Sequence, residues 1–444
     1  DAALENAGIE NGSSIPELKG VQGLISRERV VEPLEKGILR AKHDIYVFRD
    51  GTIRYDMIDL PLTNFRPDEV GVSVEKLRSI GYTKDMDGNE LTSSDQVIEL
   101  HPQDIMISDD CGEYMTRVAQ YVDDLLVNVY KKEPYYNVKD RNDLVGQLVI
   151  GLAPHTSAGV LARIVGFTKA KAGYAHPYYH AAKRRNCDGD EDCVMLLMDG
   201  LLNFSRSFLP NTRGGTMDAP LVLTTILNPN EVDKETKNVD LNKVYPLCIY
   251  EACLEYKTPK DVIKYIDNVE KRIGKPEQFE GFYFTHNTRN ISEGPIDTMY
   301  TNPKLKSIED KVRFELNLAD KIRAVDTDDL AERIVSTHLI PDMVGNLRSF
   351  SKQSFSCPKC KTRSKSAGSF RRIPITGKCP ICGTPVKATM HKGNVVKYMD
   401  ISKYMADNYK LSDYTVQRLK VIEMNITSTF GEEDKKQMDL SDFF

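Results

Sequence analysis

The residues best suited to chemistry lie in KRRNCDGDEDCVMLLMDGLLNF, residues 183–204. Three cations are followed by four carboxylates within five residues: Lys183, Arg184, Arg185, Asp188, Asp190, Glu191 and Asp192. Like charges at this spacing repel one another, so the arrangement is costly unless a cation lies among them. Asp188 and Asp190 flank Gly189, and carboxylates two residues apart in a turn can point to the same side. We therefore predict that Asp188 and Asp190 hold Mg²⁺, which accepts carboxylate oxygens while keeping waters and substrate phosphates.

Basic residues around this turn complete a pattern typical of phosphate chemistry. They lie directly before the acids and further upstream: Lys183, Arg184, Arg185, Lys169 and Lys171. Phosphoryl or nucleotidyl transfer needs a metal to neutralise charge and basic groups to orient phosphates. Asn186 and Asp192 border the central pair and are candidates to support it. A solvated basic face is the alternative interpretation of the cations.

Two simpler interpretations of the acidic stretch stay open on residue types alone. An acidic turn before a helix favours the positive end of the helix dipole, with no metal involved. A calcium-binding EF-hand loop is the second interpretation, but its sixth position requires glycine and its twelfth glutamate. Those positions hold Cys193 and Asp199 in this frame, so the calcium loop is disfavoured.

Three histidines and one arginine are further candidates for contacts with DNA or a nucleotide: His155, His176, His180 and Arg213. His176 and His180 have the i, i+4 spacing of metal ligands on a helix. Pro177 lies between them and no HExxH motif is present, so structural or phosphate-contacting roles are favoured over metal binding. Arg213 lies in the glycine-rich NTRGGTMDAP, which either approaches substrate or forms a turn.

Four cysteines form two CPxC pairs separated by eighteen residues: Cys357, Cys360, Cys379 and Cys382. This spacing is typical of a structural zinc site, in which four thiolates fill a tetrahedral coordination shell. Disulfides are the alternative, and a reducing compartment disfavours them. The sequence therefore predicts a C-terminal zinc module.

The last residues, KKQMDLSDFF, follow the pattern Q-x-x-L-x-x-F-F: Gln437, Leu440, Phe443 and Phe444. One helical turn places the leucine and both phenylalanines on one side, and such an apolar plug is costly in water unless a partner covers it. The pattern is similar to the motif that binds the sliding clamp. Docking of the tail on its own domain is the alternative.

Periodicity indicates the elements that must position these residues. We expect a hairpin turning at Asp50-Gly51, a strand in residues 97–107 and an amphipathic helix over residues 113–131. We also expect a buried helix over residues 192–208, a core strand in residues 219–229, a helix over residues 262–273, and one or two helices in residues 307–336.

Composition sets the wider limits. The chain has 444 residues, 40% hydrophobic and 28% charged, with a formal net charge of −5. These values suit a globular protein of several domains and exclude a strongly basic nucleic-acid binder. No run approaches the roughly eighteen apolar residues that span a membrane. The expected location is cytoplasmic, without membrane association.

RRNCDGDED resembles the catalytic signature of the large subunit of archaeal family D DNA polymerase. Three longer blocks are similar to the same family: EPLEKGILRAKHDIYVFRDGTIR, APHTSAGVLARIVGFTKAKAGYAHPYYHAAKRRN and LLNFSRSFLPNTRGGTMDAPLVL. The resemblance implies a mixed α+β fold with a double-psi β-barrel catalytic domain, related to multisubunit RNA polymerases. The motif in those relatives is NADFDGD, with three metal-binding aspartates. Asp188 and Asp190 match the second and third, whereas Asn186 stands at the first.

The resemblance also implies a function and partners. The expected activity is template-directed, Mg²⁺-dependent addition of deoxynucleotides to a primer 3′-hydroxyl. The expected partners are primed DNA, the small exonuclease subunit, the sliding clamp and an upstream half of the large subunit that carries a second barrel. A non-catalytic module that joins the small subunit to the clamp is the alternative, and an RNA polymerase-like enzyme is disfavoured by the clamp motif.

The predicted organisation follows from both kinds of reasoning. Six segments are expected: a β-rich segment (1–110), a barrel carrying the NCDGDED motif (111–300), a helical segment (301–350), the zinc module (351–395), a second helical segment (396–430) and the clamp-binding tail (431–444).

Overall fold

The computed structural model describes residues 2–9, 17–24, 30–154, 156, 158–186, 188–205, 209, 221–285, 287, 289–292, 302, 304–361, 369–370, 376–388 and 390–431. The chain divides into two compact units, Asp1–Thr301 and Asn302–Phe444. Each unit has its own apolar core among the described residues.

A closed β-barrel forms the centre of the first unit. Its strands are β1 (Tyr55–Pro61), β2 (Asn64–Phe65), β3 (Ile98–Glu99), β4 (Asp104–Ser108), β5 (Leu148–Leu152), β6 (Ala158–Thr168), β7 (Ala172–Ala175), β8 (Glu191–Leu196) and β9 (Val222–Thr224). Six of them form a ring in the order β4-β7-β1-β8-β5-β6, closed by the pairing of β6 with β4. Strand β9 extends the sheet beside β6, and β2 pairs with β3 separately.

The ring mixes parallel and antiparallel neighbours. The pairs β1·β7 and β4·β6 are parallel, and the other four contacts of the ring are antiparallel. All five residues of β4 are buried, as expected for a strand covered on both faces. A closed six-strand mixed barrel with helical additions is consistent with the double-psi architecture, so the predicted fold class is confirmed.

Helices pack around the barrel and connect its strands. They are α1 (Ala2–Asn6), α2 (Leu34–Lys42), α3 (Val74–Ser79), α4 (Asp109–Asp124), α5 (Pro177–Ala182), α6 (Leu197–Asn203), α7 (Leu247–Leu254), α8 (Pro259–Val262) and α9 (Val269–Arg272). Helix α4 begins where the Ser108 side chain accepts a hydrogen bond from the Cys111 N–H, and a π-helical turn, Leu125–Val129, continues it. The amphipathic helix expected over residues 113–131 is therefore confirmed.

The second unit is helical with a small cysteine-rich sheet. Its helices are α10 (Ile308–Ala319), α11 (Thr327–Arg333), α12 (Ile340–Lys352), α13 (Pro358–Lys361), α14 (Lys392–Val396), α15 (Met399–Asn408) and α16 (Asp413–Phe430). Strand β10 (Phe355–Ser356) pairs with β11 (Ser369–Phe370) and β12 (Lys387–Ala388). Helices α10 and α11 confirm the prediction for residues 307–336.

Three predicted elements are wrong, and the reasons are tertiary. Residues 192–196 belong to β8 rather than to a helix, because β8 pairs with β1 on one side and β5 on the other. Of the described residues in the predicted helix, those of α6 are helical. The segment 262–273 divides into α8, a 3₁₀ turn and α9 instead of one helix. Strand β9 is a short strand with exposed residues, not a core strand.

The hairpin prediction is also wrong, while the neighbouring strand prediction is partly right. The Phe48 N–H donates to the Thr52 carbonyl at 2.7 Å, so a tight turn does form at Asp50-Gly51. The Asp50 carboxylate accepts from the Thr52 N–H at 3.0 Å, and no strand precedes the turn within residues 30–49. Residues 97–107 contain two short strands, β3 and β4, rather than one.

Candidate active site

The acidic turn connects α5 to β8 at the surface of the barrel. Gly189 has φ +97°, a left-handed conformation that glycine adopts without a steric penalty. The Asp59 N–H donates to the Asp190 carbonyl at 3.0 Å, which continues the pairing of β1 with β8. The barrel therefore fixes the downstream end of the turn through the backbone of β1.

Asp188 and Asp190 face the outside of the barrel. The Asp188 side chain is exposed and that of Asp190 is partly exposed. The Asn186 N–H donates to Asp190 Oδ2 at 3.1 Å, and Arg185 Nη1 lies 3.9 Å from the same oxygen. Two accessible carboxylates on one short turn suit a magnesium ion that keeps waters and substrate oxygens in its shell.

Lys183 and Asp192 are both buried and contact each other. Their side chains are 0% and 2% exposed, and Lys183 Nζ contacts Asp192 Oδ2. Burial raises the pKa of Asp192 above its ordinary value, and the Lys183 ammonium opposes that rise. The structure therefore places Lys183 in an internal ion pair, while its predicted phosphate contact and the supporting role of Asp192 stay predictions.

His176 and His180 are buried as well, and their predicted structural or phosphate-contacting roles stay predictions. His176 precedes α5 and its Nδ1 accepts from the Tyr178 N–H at 3.1 Å. Burial lowers the pKa of His176 to about 3, so its imidazole is neutral at physiological pH. His180 Nε2 lies 2.9 Å from the Leu60 carbonyl, and its Nδ1 lies 3.2 Å from Asp59 Oδ2.

The remaining cations lie nearer to solvent. Lys169 and Arg184 are exposed and Arg185 is partly exposed, whereas Lys171 forms an ion pair with Asp110. Among the predicted phosphate contacts that the structure describes, Lys169, Arg184 and Arg185 therefore lie nearest to solvent. His155 and Arg213 lie outside the described residues.

The four predicted zinc ligands come together in the second unit. The Cys357 and Cys382 sulfurs are 3.4 Å apart, and the Cys360 and Cys379 sulfurs are 3.9 Å apart. A tetrahedron with Zn–S bonds of about 2.3 Å separates its sulfurs by about 3.8 Å, whereas a disulfide requires about 2.05 Å. All four thiols are free, so the cluster is compatible with zinc and the disulfide alternative is not supported.

Hydrogen bonds at the cysteines favour binding of a metal ion by this cluster. The Cys360 N–H donates to Cys357 Sγ at 3.5 Å, as in a zinc knuckle. Hydrogen bonding with Thr384 lowers the pKa of Cys382 to about 6, which favours the thiolate that zinc binds.

The predicted clamp-binding residues lie outside the described residues: Gln437, Leu440, Phe443 and Phe444.

Sequence reasoning missed a second group that the structure brings together. Within the described residues, Asp59, His180 and Asp192 place one potential ligand atom each within 4.8 Å of one another. Asp59 lies on the buried side of β1, two residues after buried Met57. The sequence signal that could have identified this group is a carboxylate at a position of β1 where the alternating pattern of the strand predicts a buried apolar side chain. A carboxylate buried there costs free energy unless it has a partner.

A second set of buried charged residues includes Asp199 of α6. Asp199 is fully buried, and its carboxylate accepts from the Ile53 N–H at 2.7 Å and from Asn203 at 2.8 Å. Burial raises the pKa of Asp199 to about 6. Nearby, Arg40 donates two hydrogen bonds of 2.8 Å to Glu32.

Among the described residues, no helix combines the length and apolar character that crossing a bilayer requires.

Comparison with known proteins agrees with this architecture. The family model described as "DNA polymerase II large subunit DP2, catalytic domain" matches residues 11–311. The DNA polymerase II large subunit of Methanocorpusculum labreanum is 75% identical over 443 residues, covering 100% of this chain and 38% of the relative. The large subunit of Archaeoglobus fulgidus is 51% identical over 443 residues, again 100% of this chain and 38% of the relative.

A third relative is similar over most of the chain. The large subunit of Pyrococcus furiosus is 53% identical over 428 residues, which cover 96% of this chain and 33% of the relative. The chain thus spans less than half the length of these three relatives. These matches show that the chain belongs to the family of DNA polymerase II large subunits, and that its residues 11–311 correspond to the catalytic domain of that family.

Proposed function

We propose that this chain supplies the catalytic carboxylates of a DNA-directed DNA polymerase that extends a primer 3′-hydroxyl with deoxynucleotides. The observation that carries the proposal is the placement of Asp188 and Asp190 on an exposed turn whose ends are fixed to the barrel. When bound between them, Mg²⁺ would favour ionisation of the 3′-hydroxyl and neutralise charge on the phosphates.

The other residues of the turn orient charge around that site. The Asn186 N–H fixes one oxygen of Asp190, which leaves the other oxygen and the Asp188 carboxylate for a cation. Arg184 and Arg185 precede the acids and, with Lys169, are placed to attract the phosphates of a triphosphate or of DNA. The chain's contribution is therefore electrostatic, as phosphoryl-transfer chemistry requires.

The proposed enzyme needs further protein. The relatives are about 2.5 times longer than this chain, which supports an upstream part that completes the catalytic site. We further propose that Zn²⁺ bound by the four cysteines stabilises a module that docks the small exonuclease subunit. The tail would bind the sliding clamp through Gln437, Leu440, Phe443 and Phe444.

Primer extension tests the catalytic assignment. The chain would be assembled with its upstream part and the small subunit, then given a primed template, deoxynucleotides and Mg²⁺. Replacing both Asp188 and Asp190 with Asn is expected to lower extension by at least about 10³-fold, because the developing charge loses its metal. Glu191→Gln is the matched control, since Glu191 is an exposed carboxylate beside the pair and should leave extension within about twofold of wild type.

The alternative function gives the opposite result. If this chain only joins the small subunit to the clamp, the double variant extends primers as well as wild type does. Assembly is measured separately by size-exclusion chromatography, so that a loss of extension is not confused with a loss of the complex.

A further inference from the structure

A group of buried polar side chains lies directly beneath the acidic turn. Asp59 and His180 are 0% exposed. Neither carboxylate oxygen of Asp59 has a hydrogen-bond partner, and neither does His180 Nδ1. The separation of 3.2 Å between Nδ1 and Oδ2 is within ion-pair range, although the geometry is not that of a hydrogen bond. Buried polar atoms without partners are rare and point to a specific role.

The His180 ring contacts the backbone of the residue after Asp59. Its Nε2 lies 2.9 Å from the Leu60 carbonyl, which can only accept, so Nε2 carries a hydrogen. The Leu60 carbonyl thus fixes the orientation of the ring and directs Nδ1 at the Asp59 carboxylate.

The buried residues Asp59 and His180 are connected to the two ends of the acidic turn. Upstream of the acids, the Arg185 N–H donates to the His180 carbonyl at 3.1 Å, and Lys183 is held by Asp192. Downstream, the Asp190 carbonyl accepts from the Asp59 N–H. Both ends of the turn are thus attached to residues 59 and 60 of β1, one end through side chains and the other through the backbone.

We propose that Asp59 and His180 are positioning residues that hold the acidic turn in its metal-binding conformation through their contact beneath it. The inference rests on the proposed function, because it assigns these residues to the site of Asp188 and Asp190. Removing the pair would let the upstream end of the turn shift, and the two exposed carboxylates would lose the spacing that a metal requires. The main effect would be on the concentration of metal needed, rather than on folding.

The test measures the half-saturating Mg²⁺ concentration for primer extension by the assembled polymerase. Asp59→Leu has a similar shape and removes the pairing, so the requirement is expected to rise by at least about tenfold. Asp59→Asn is expected to stay within about twofold of wild type, because its side-chain amide can donate to His180 Nδ1. Asp56→Asn is the matched control, since Asp56 is an exposed carboxylate on the same strand.

A second variant keeps the test decisive if Asp59→Leu fails to assemble. His180→Gln retains a donor for the Leu60 carbonyl and loses the partner of Asp59, and the same rise in the Mg²⁺ requirement is expected. An unchanged requirement in both Asp59→Leu and His180→Gln, with wild-type melting temperatures, would overturn the proposal.

Binding of Mn²⁺ to the assembled polymerase, followed by electron paramagnetic resonance, separates this inference from the proposed function. Loss of a bound ion in Asp188→Asn with weakened binding in Asp59→Leu supports both. Unchanged binding and extension in Asp188→Asn refutes the proposed function. Loss in Asp188→Asn with wild-type binding in Asp59→Leu refutes the inference alone. An ion that survives Asp188→Asn but is lost in Asp59→Leu would show that the buried group is itself a metal site and would also overturn the inference.

Discussion

Removing the ammonium of Lys183 is expected to destabilise the first unit far more than removing an exposed ammonium. The side chains of Lys183 and Asp192 are almost fully buried, and the Lys183 Nζ also lies 4.5 Å from the centre of the Tyr179 ring. In Lys183→Met the aliphatic stem is retained, but the buried Asp192 carboxylate loses its partner. Breaking a buried ion pair on one side costs about 3–5 kcal/mol, whereas an exposed lysine contributes about 0–1 kcal/mol.

Urea denaturation followed by circular dichroism gives the free energy of unfolding. With a slope of about 2 kcal/mol per molar, a loss of about 4 kcal/mol lowers the transition midpoint by about 2 M. The matched control is Lys169→Met, because Lys169 is exposed on the same side of the sequence motif and should shift the midpoint by less than about 0.5 M.

The double variant Lys183→Met, Asp192→Leu tests the electrostatic part of the reasoning. Replacing both partners leaves no unpaired charge at this buried position, so most of the lost stability should return. Equal midpoints for Lys183→Met and Lys169→Met would refute the assignment of a buried ion pair. A double variant no more stable than Lys183→Met would show that lost packing, rather than an unpaired charge, causes the destabilisation.

Three further predictions concern other parts of the chain. Cys357→Ser is expected to remove one equivalent of zinc, measured by elemental analysis, and to make the cysteine module accessible to proteases; chelation of the wild-type protein should do the same. Cys253→Ser is the control, because Cys253 is an exposed cysteine outside the cluster, and it should have neither effect. Because burial raises the folded pKa of Asp199 to about 6, above its ordinary value of 3.8, its contribution to stability is fully present below about pH 4 and is lost as the pH rises through 6. The unfolding free energy of wild type relative to Asp199→Asn should therefore fall by about 3 kcal/mol between about pH 4 and pH 7, and a pH-independent difference would contradict this. Replacing Phe443 and Phe444 with Ala should abolish binding to an immobilised sliding clamp while leaving unstimulated primer extension unchanged; retained clamp binding would favour the tail docking on its own domain.

Local patterns predicted the features that depend on short-range geometry. The CPxC pairs predicted a cluster that the structure brings within tetrahedral range, and the spacing around Gly189 predicted the turn that exposes Asp188. Both are spacings of a few residues, which the backbone fixes almost independently of the remaining fold. The class of the fold came from resemblance rather than from periodicity.

Features that depend on long-range pairing were not predictable in the same way. The apolar run after Asp192 suits either a buried helix or a buried strand, and only its position between β1 and β5 makes it a strand. The contacts of His180 and Lys183 were not predicted from their place beside the acids. His180 lies against Asp59 of β1, more than 120 residues earlier in the chain, and no local pattern connects the two. Lys183 pairs with the buried Asp192.

The order of the barrel strands has a consequence for how the protein is made. Strand β8 is the last of the six ring strands to be synthesised, and it enters between β1 and β5, so the ring stays open until it arrives. Pairings between residues so distant in sequence form slowly and leave strand edges exposed meanwhile. The same step that closes the ring also brings Asp190 against Asp59. A nascent or truncated chain that ends before β8 would thus be prone to aggregation. It would also be unable to present the acidic turn on the barrel. Closure of the barrel is therefore required before any chemistry can occur at the turn.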